Sequence, residues 1–451
     1  MPKNRKRVGV LINLMIMTSS NNEFNSVNDL TDDSSAVNIV STSKRQLMVS
    51  LSYLAYCGDQ ITSSAPEQEI LKLINNAIPE LEPVINWEVV WGPATYTTPG
   101  SLYQDSMMYV AHNKKNTSQY AIAIRGTNFV SDLDWLMDDL DVLQMMPWPP
   151  NSTATGSTQA MISESTSIAL QTLLNMTSSY YNGETQSQSL SLLNYLATQT
   201  ATPIALCATG HSLGGCVASA LALYLVENAS LWDTVSASSQ RKSGSQVSCV
   251  TFAAPTAGNT AFAALLQGSF VGATFDAVRC SLDVAPLAWL GSNLSNANGS
   301  DSPVFDVYTQ SSDTSQQVNF PEMAWPYDDA WTDVVMPYML APVAAELNPR
   351  NYKQPFQNQP LLSGTFNTNY AAYAQDFETT ANMFIQQATY QHCQSYPILL
   401  GIPKLNDSSI IVENPSDSTV SARKPSLRRT LIIQALRMVM LANKQKAAPQ
   451  A

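Results

Sequence analysis

Histidine occupies only three positions of this 451-residue chain, His112, His211 and His392, and charged residues make up only 13% of it. Zinc sites draw on several histidines or clustered cysteines. The six cysteines (Cys57, Cys207, Cys216, Cys249, Cys280, Cys393) are scattered and form no Cys-x-x-Cys pair, so no metal centre is expected. Buried free thiols are the expectation for them, ahead of disulfides. Long apolar runs are also missing. No segment reaches the roughly 20 apolar residues that span a bilayer, which argues against an integral membrane protein. Cations are few and displaced to the ends: the first seven residues hold four and residues 421–451 hold seven, leaving 12 against all 35 acidic residues between positions 8 and 420. Such an acidic body repels nucleic acid and favours neutral substrates over adsorption to anionic surfaces. What is present is apolar residue, 45% of the chain, enough for a sizeable core.

Met1–Arg7 is followed by an apolar stretch, Val8–Met17, that loosely imitates a secretory signal. It leaves secreted and cytoplasmic placement both open. Residues 1–43, rich in Ser, Asn and Asp beyond that stretch, read as a flexible lead-in, 44–404 as the main domain with an insert at about 303–380, and 405–451 as a linker and tail. Within the domain, helical patterns are expected at 46–56, 132–143, 161–174 and 190–197, and strands at 87–97, 107–112 and 119–124. From Pro203 the chain alternates: strand 203–208, helix 214–227, strand 247–253, helix 260–266, strand 275–282. That alternation predicts a mostly parallel central sheet flanked by helices.

Between the first strand and helix of this series lies Gly210-His211-Ser212-Leu213-Gly214, a Gly-x-Ser-x-Gly motif. Strand, tight turn, then a helix rich in small residues is the setting of a nucleophile elbow, and predicts an α/β-hydrolase fold with Ser212 as nucleophile. The turn needs glycine at 210 and 214 because a side chain there would strike neighbouring backbone. A serine hydroxyl needs a base, and in this fold the chain order is Ser, acid, His. His392 is the single histidine after Ser212 and is the candidate base. His112 comes too early, and His211 should leave the turn in another direction to pack or hydrogen-bond. Of the carboxylates between Ser212 and His392, Asp283 stands just past a predicted strand at the carboxyl end of the sheet, where catalytic groups gather. Its role would be to fix the His392 tautomer and stabilise the imidazolium. Asp306 is the second choice.

These residues resemble the class 3 (fungal-type) lipase family, in particular its bacterial members, over roughly 46–401. Ala121–Thr127 followed by Asp134–Asp138 is similar to the family's Arg-Gly-Thr and Asp-Trp-Leu-x-Asp segment, Thr209–Gly215 matches its elbow, and Asp283–Pro286 and His392–Tyr396 are similar to its acid and histidine regions. The resemblance implies an oxyanion hole from Thr127 and the backbone N–H of Leu213; Thr127 also follows a strand at a Gly turn, where a second oxyanion donor is expected. Two departures stand out: Met161–Glu164 occupies the region of the family's Val-His-x-Gly-Phe piece, and the chain between Asp283 and His392 is long.

The expected activity is hydrolysis of carboxylic ester bonds of neutral lipids or acyl esters through an acyl-enzyme, which requires no metal or organic cofactor. A phospholipase, a thioesterase and a non-catalytic hydrolase-like binding or membrane-associated protein stay open as alternatives. Val142–Trp148 with the loop to residue 158, or the aromatic insert at 303–380, is read as an acyl-site lid or as ordinary loop and core. Asp132, Asp134, Asp138, Asp139 and Asp141 read as a solvated helix face. Residues 421–451 form a basic amphipathic helix candidate for contact with a membrane or lipid interface.

Overall fold

The computed structural model describes residues 41–59, 61, 65–98, 104–126, 142, 144–149, 159–200, 202–234, 244–270, 275–287, 289–290, 307, 347–355, 361–367 and 386–407. The expected helix at 132–143 falls outside them except for Val142, as do the acidic group at 132–141, most of the insert, and all of residues 1–40 and 408–451.

Helix α1 (Thr42–Leu54) starts on Ser41, whose side chain accepts the Lys44 N–H, and α2 (Pro66–Ala77) starts on a proline that needs no intrahelical donor. Strands β1 (Trp87–Tyr96), β2 (Ser106–Asn113) and β3 (Asn116–Ile124) then form an antiparallel meander. The expected helix at 161–174 begins instead as a short strand, β5 (Met161–Ser163), antiparallel to β4 (Met145–Pro147). Helix α3 (Glu164–Asn175) follows because Ser163 caps it, accepting the Thr166 N–H. A polar hairpin, β6 (Thr177–Tyr181) and β7 (Glu184–Ser191), precedes α4 (Leu192–Gln199). Its turn is Asn182-Gly183, both at positive φ, a strong hairpin signal.

The predicted alternation is observed: β8 (Ala205–His211), α5 (Leu213–Glu227), β9 (Gln246–Phe252), α6 (Thr260–Ser269), β10 (Phe275–Cys280). With β11 (Leu361–Leu362) the nine-stranded sheet runs β11-β10-β9-β8-β3-β2-β1-β6-β7. The five strands from β11 to β3 are parallel to one another, and the rest pair antiparallel.

Both faces of the parallel half are covered, as such sheets require. Along β3, Tyr120, Ile122 and Ile124 join a core with α3, α4, α5 and α6, while Ala121 and Ala123 join a second core with α1 and α2. Strand β10 divides likewise, Phe275 and Ala277 on one side, Val278 and Cys280 on the other. This period-two split fixes register, because a slip of one residue would exchange the faces. Helix α5 is apolar nearly all round and correspondingly buried along its length. Arg45 on α1 pins the second layer to the sheet by a two-pronged ion pair with Asp276 of β10, 2.6 and 3.1 Å. None of the six cysteines forms a disulfide, and five are buried. No helix among the described residues is long and apolar enough to cross a membrane.

Candidate active site

The parallel strands all end at one edge of the sheet, and the turn from β8 into α5 lies there. Ser212 sits at the turn with φ 58° and ψ −134°, a conformation that L-residues with a Cβ rarely adopt and that persists only when its surroundings enforce it. The enforcement is visible on both sides. The Ser212 N–H donates to the Phe252 carbonyl at the end of β9, 2.9 Å away. A Cβ on Gly210 would stand 2.3 Å from the carbonyl carbon and oxygen of Gly214, and one on Gly214 would stand 2.4 Å from the Ile124 oxygen at the end of β3. Both glycines are therefore required by backbone approach. Gly126 is packed as closely, since a Cβ there would lie 2.6 Å from the His211 carbonyl oxygen and 3.1 Å from the Ser212 Cβ.

Helix α5 begins at Leu213, so its first amide N–H groups have no acceptor within the helix, and the positive end of the helix dipole lies at Ser212. Thr127, the other expected oxyanion donor, lies outside the described residues. Its neighbour Arg125 is buried and donates from Nη2 to the Gln104 carbonyl.

Asp283 follows β10 at the same edge, and His392 lies in the helical stretch 386–393. Although 180 residues separate Ser212 from His392 and 109 separate His392 from Asp283, the three side chains meet. His392 Nε2 lies 2.8 Å from Ser212 Oγ, and His392 Nδ1 lies 3.1 Å from Asp283 Oδ2 and 3.2 Å from Oδ1. His392 is fully buried and Ser212 is 5% exposed. Asp283 accepts two further bonds: the Ala285 N–H at 3.0 Å on Oδ1 and the Tyr396 hydroxyl at 2.7 Å on Oδ2. The same Tyr396 oxygen accepts the Cys280 N–H, 3.0 Å. Burial first, then the Asp283 charge, pushes the Tyr396 phenol well above its ordinary value, so it stays a donor.

The His211 ring is hydrogen-bonded through both of its nitrogens. Its Nε2 lies 2.8 Å from the His392 carbonyl oxygen, which can only accept, so Nε2 carries the hydrogen. Nδ1 then accepts the Tyr56 hydroxyl at 3.1 Å. Burial, and secondarily the neighbouring His392, drives the His211 imidazole well below its ordinary value. A neutral ring thus lies tilted against His392, with the ring centroids 4.7 Å apart. His112 has no part in this: it sits on β2 with Nε2 2.8 Å from an exposed Glu88 carboxylate. Among the other carboxylates, Asp276 is held by Arg45, and Asp306 lies outside the described residues.

Sequence reasoning passed over Tyr56, and it took Tyr396 only as the end of a resembling segment. The position of Tyr396 four residues after His392, one helical turn on, was the available signal. Tyr56, two residues past α1, has none. The apolar stretch read as a lid is anchored at its base: Val142 and Trp148 are buried, Val142 accepts the Tyr352 hydroxyl, and β4 is paired to β5. Residues 150–158 lie outside the described residues. No group of His, Cys, Asp and Glu side chains suited to hold a metal occurs among the described residues.

Residues 121–289 match the family model for lipase (class 3). Among solved structures, M37 lipase is 31% identical, with a TM-score of 0.63 over 82% of this chain and 96% of that one. A lipase from Rhizopus microsporus var. chinensis is 16% identical with a TM-score of 0.36, over 54% of this chain and 68% of that one. Lipase II from Rhizopus niveus is 17% identical with a TM-score of 0.35, over 54% and 73%. No curated protein matched the sequence. The α/β-hydrolase architecture, the motif around Ser212 and the extent of the likeness to M37 lipase lead to one conclusion: this chain belongs to the class 3 lipase family.

Proposed function

We propose that this lipase-type hydrolase cleaves carboxylic ester bonds of neutral lipids or acyl esters, with Ser212 as nucleophile, His392 as general base and Asp283 as the acid that orients it. The observation that carries the proposal is the unbroken path Ser212 Oγ, His392 Nε2, His392 Nδ1, Asp283 carboxylate at 2.8 and 3.1 Å. Nδ1–H donation to Asp283 leaves Nε2 as the acceptor for the Ser212 proton. Ser212 Oγ attacks the ester carbonyl carbon while its proton passes to His392. Negative charge gathers on the former carbonyl oxygen, where the Leu213 N–H at the start of α5, together with Thr127, would stabilise it; such a donor contributes roughly 10²–10³ in rate. Collapse breaks the ester C–O bond as His392 returns the proton to the departing alcohol. Water, deprotonated in turn by His392, then cleaves the acyl-enzyme and releases the acid. A neutral His211 suits this cycle, because a charged ring 4.7 Å away would oppose the imidazolium. The excess of acidic residues in the body of the chain favours uncharged acyl substrates.

The test is hydrolysis of p-nitrophenyl esters of short and long acyl chains by the protein and by Ser212→Ala. Turnover lost in the variant supports the assignment. Turnover that survives Ser212→Ala, or a folded protein inert to every ester and to a fluorophosphonate probe, refutes it.

A further inference from the structure

The covalent connection between Asp283 and His392 is 109 residues long. Chain connectivity therefore does nothing to fix the distance between the two side chains, and packing must do it. The packing converges on one side chain, the amide of Gln391, which is fully buried beside His392. Its Nε2 donates to the Thr365 carbonyl at 2.8 Å, in the segment 361–367 on the returning side of the insert. Its Oε1 accepts the Ser395 hydroxyl at 2.7 Å and the Cys280 thiol at 3.7 Å. Cys280 is the last residue of β10, three residues before Asp283. A second fully buried amide, Gln387, continues the connection: in the orientation that satisfies both ends it accepts from Gln391 Nε2 at 2.9 Å and from the Asn367 N–H at 3.2 Å, and donates to the Asn367 carbonyl at 3.3 Å.

Every donor and acceptor of Gln391 is thus occupied, by partners on three separate pieces of chain. The returning segment itself is seated against the acid loop. Leu361 and Leu362 pair with Arg279 and Cys280, and a Cβ on Gly364 would lie 2.7 Å from Cys280 Sγ. A fully satisfied buried amide is costly to disturb and holds a single geometry, since any shift strands one of its groups.

We propose that Gln391 is a positioning residue of the ester-hydrolysing site: its amide locks the strand end that launches Asp283, the helix that carries His392 and the segment 361–367 into one body. The role rests on the hydrolase reading above. The long insert connection is, on this view, part of what aligns the Asp283–His392 pair, because its returning arm supplies the carbonyl and the backing on which Gln391 closes.

The experiment uses the full chain with Gln391→Leu, Gln391→Asn and Ser395→Ala, each shown folded by near-UV circular dichroism at the assay temperature. Misplacement of a catalytic group by about 1 Å costs on the order of 10²-fold. The expected result is a kcat on a p-nitrophenyl ester at least roughly tenfold lower in a folded Gln391 variant, with KM little changed and inactivation by a fluorophosphonate slowed in parallel. Ser395→Ala, which removes one bond and almost no volume, moves kcat the same way by a smaller factor and keeps the test alive if both Gln391 variants fail to fold. Folded variants that lose thermal stability but keep kcat and inactivation rate within about twofold of wild type make Gln391 a core residue only and overturn the proposal. Wild-type protein inert to both reagents sinks the hydrolase reading instead.

Discussion

Replacing Asp283 by asparagine changes no volume and removes one charge, and its consequence follows from the three donors that converge on the carboxylate. His392 Nδ1, the Ala285 N–H and the Tyr396 hydroxyl all lie within 3.2 Å of its oxygens. An amide offers one oxygen and one NH2. If its oxygen keeps the Ala285 N–H, which cannot reverse, the NH2 faces Tyr396 and His392. His392 then accepts at Nδ1 and carries its hydrogen on Nε2, 2.8 Å from Ser212 Oγ. A ring that donates to Oγ cannot take its proton. The loss expected from the wrong tautomer is roughly 10³–10⁴ in kcat. That corresponds to about 4–5.5 kcal/mol in the barrier, at about 1.4 kcal/mol per tenfold. Ester hydrolysis at neutral pH, measured with the concentration of active Ser212 fixed by fluorophosphonate titration, gives the number directly. Folded Asp283→Asn protein that retains more than a tenth of wild-type kcat would refute the assigned role of Asp283.

Tyr396→Phe keeps the buried ring but removes the hydroxyl between Asp283 and the Cys280 N–H; loss of a charge-assisted bond and an orphaned buried N–H together cost about 2–4 kcal/mol, read as a lower urea midpoint. A change below about 1 kcal/mol would contradict the assigned hydrogen bonds. His211 is driven below its ordinary value by burial, so as pH falls below about 6.5 the unfolded chain takes up a proton that the folded ring refuses, and stability declines by up to about 1.4 kcal/mol per pH unit from this group. Urea titrations from pH 7 to 5 should show a shallower decline in His211→Gln, and an identical slope in both proteins counts against a neutral buried ring. Arg45→Met strands the buried Asp276 carboxylate, at an expected cost of about 3–5 kcal/mol, much of it recovered in the double variant with Asp276→Leu; equal stability of the two variants would show that the pair is not desolvated.

The parts of this protein legible in the sequence are those written in local pattern. Apolar runs bounded by turn residues marked β1, β2, β3, β8, β9 and β10, because a strand buried on both faces has little choice but a nearly continuous apolar run. The elbow was legible because backbone approach at Gly210 and Gly214 admits no side chain. Chain order and the scarcity of histidine narrowed the candidate base to His392. Met161–Ser163 misled because a short apolar run followed by a helix carries no period of its own, and pairing with Met145–Pro147 decides the matter. The polar hairpin at 177–191 was missed although Asn182-Gly183 announced it, since Ser, Thr and Gln in its strands carry no apolar alternation.

By itself, then, the sequence determined a covered parallel sheet and a serine in a tight turn where its strands end, and singled out one candidate acid and one candidate histidine consistent with the fold's chain order. Tertiary structure alone decided that Tyr396 and Ala285 hold the Asp283 carboxylate, that His211, itself bonded by Tyr56, holds the main chain of His392, and that Gln391 draws together pieces of chain 26 to 111 residues apart. The physical reason is range. Backbone sterics and hydrophobic period act over a few residues and leave their mark in local order, whereas a buried hydrogen bond depends on distances that exist only after the chain has packed.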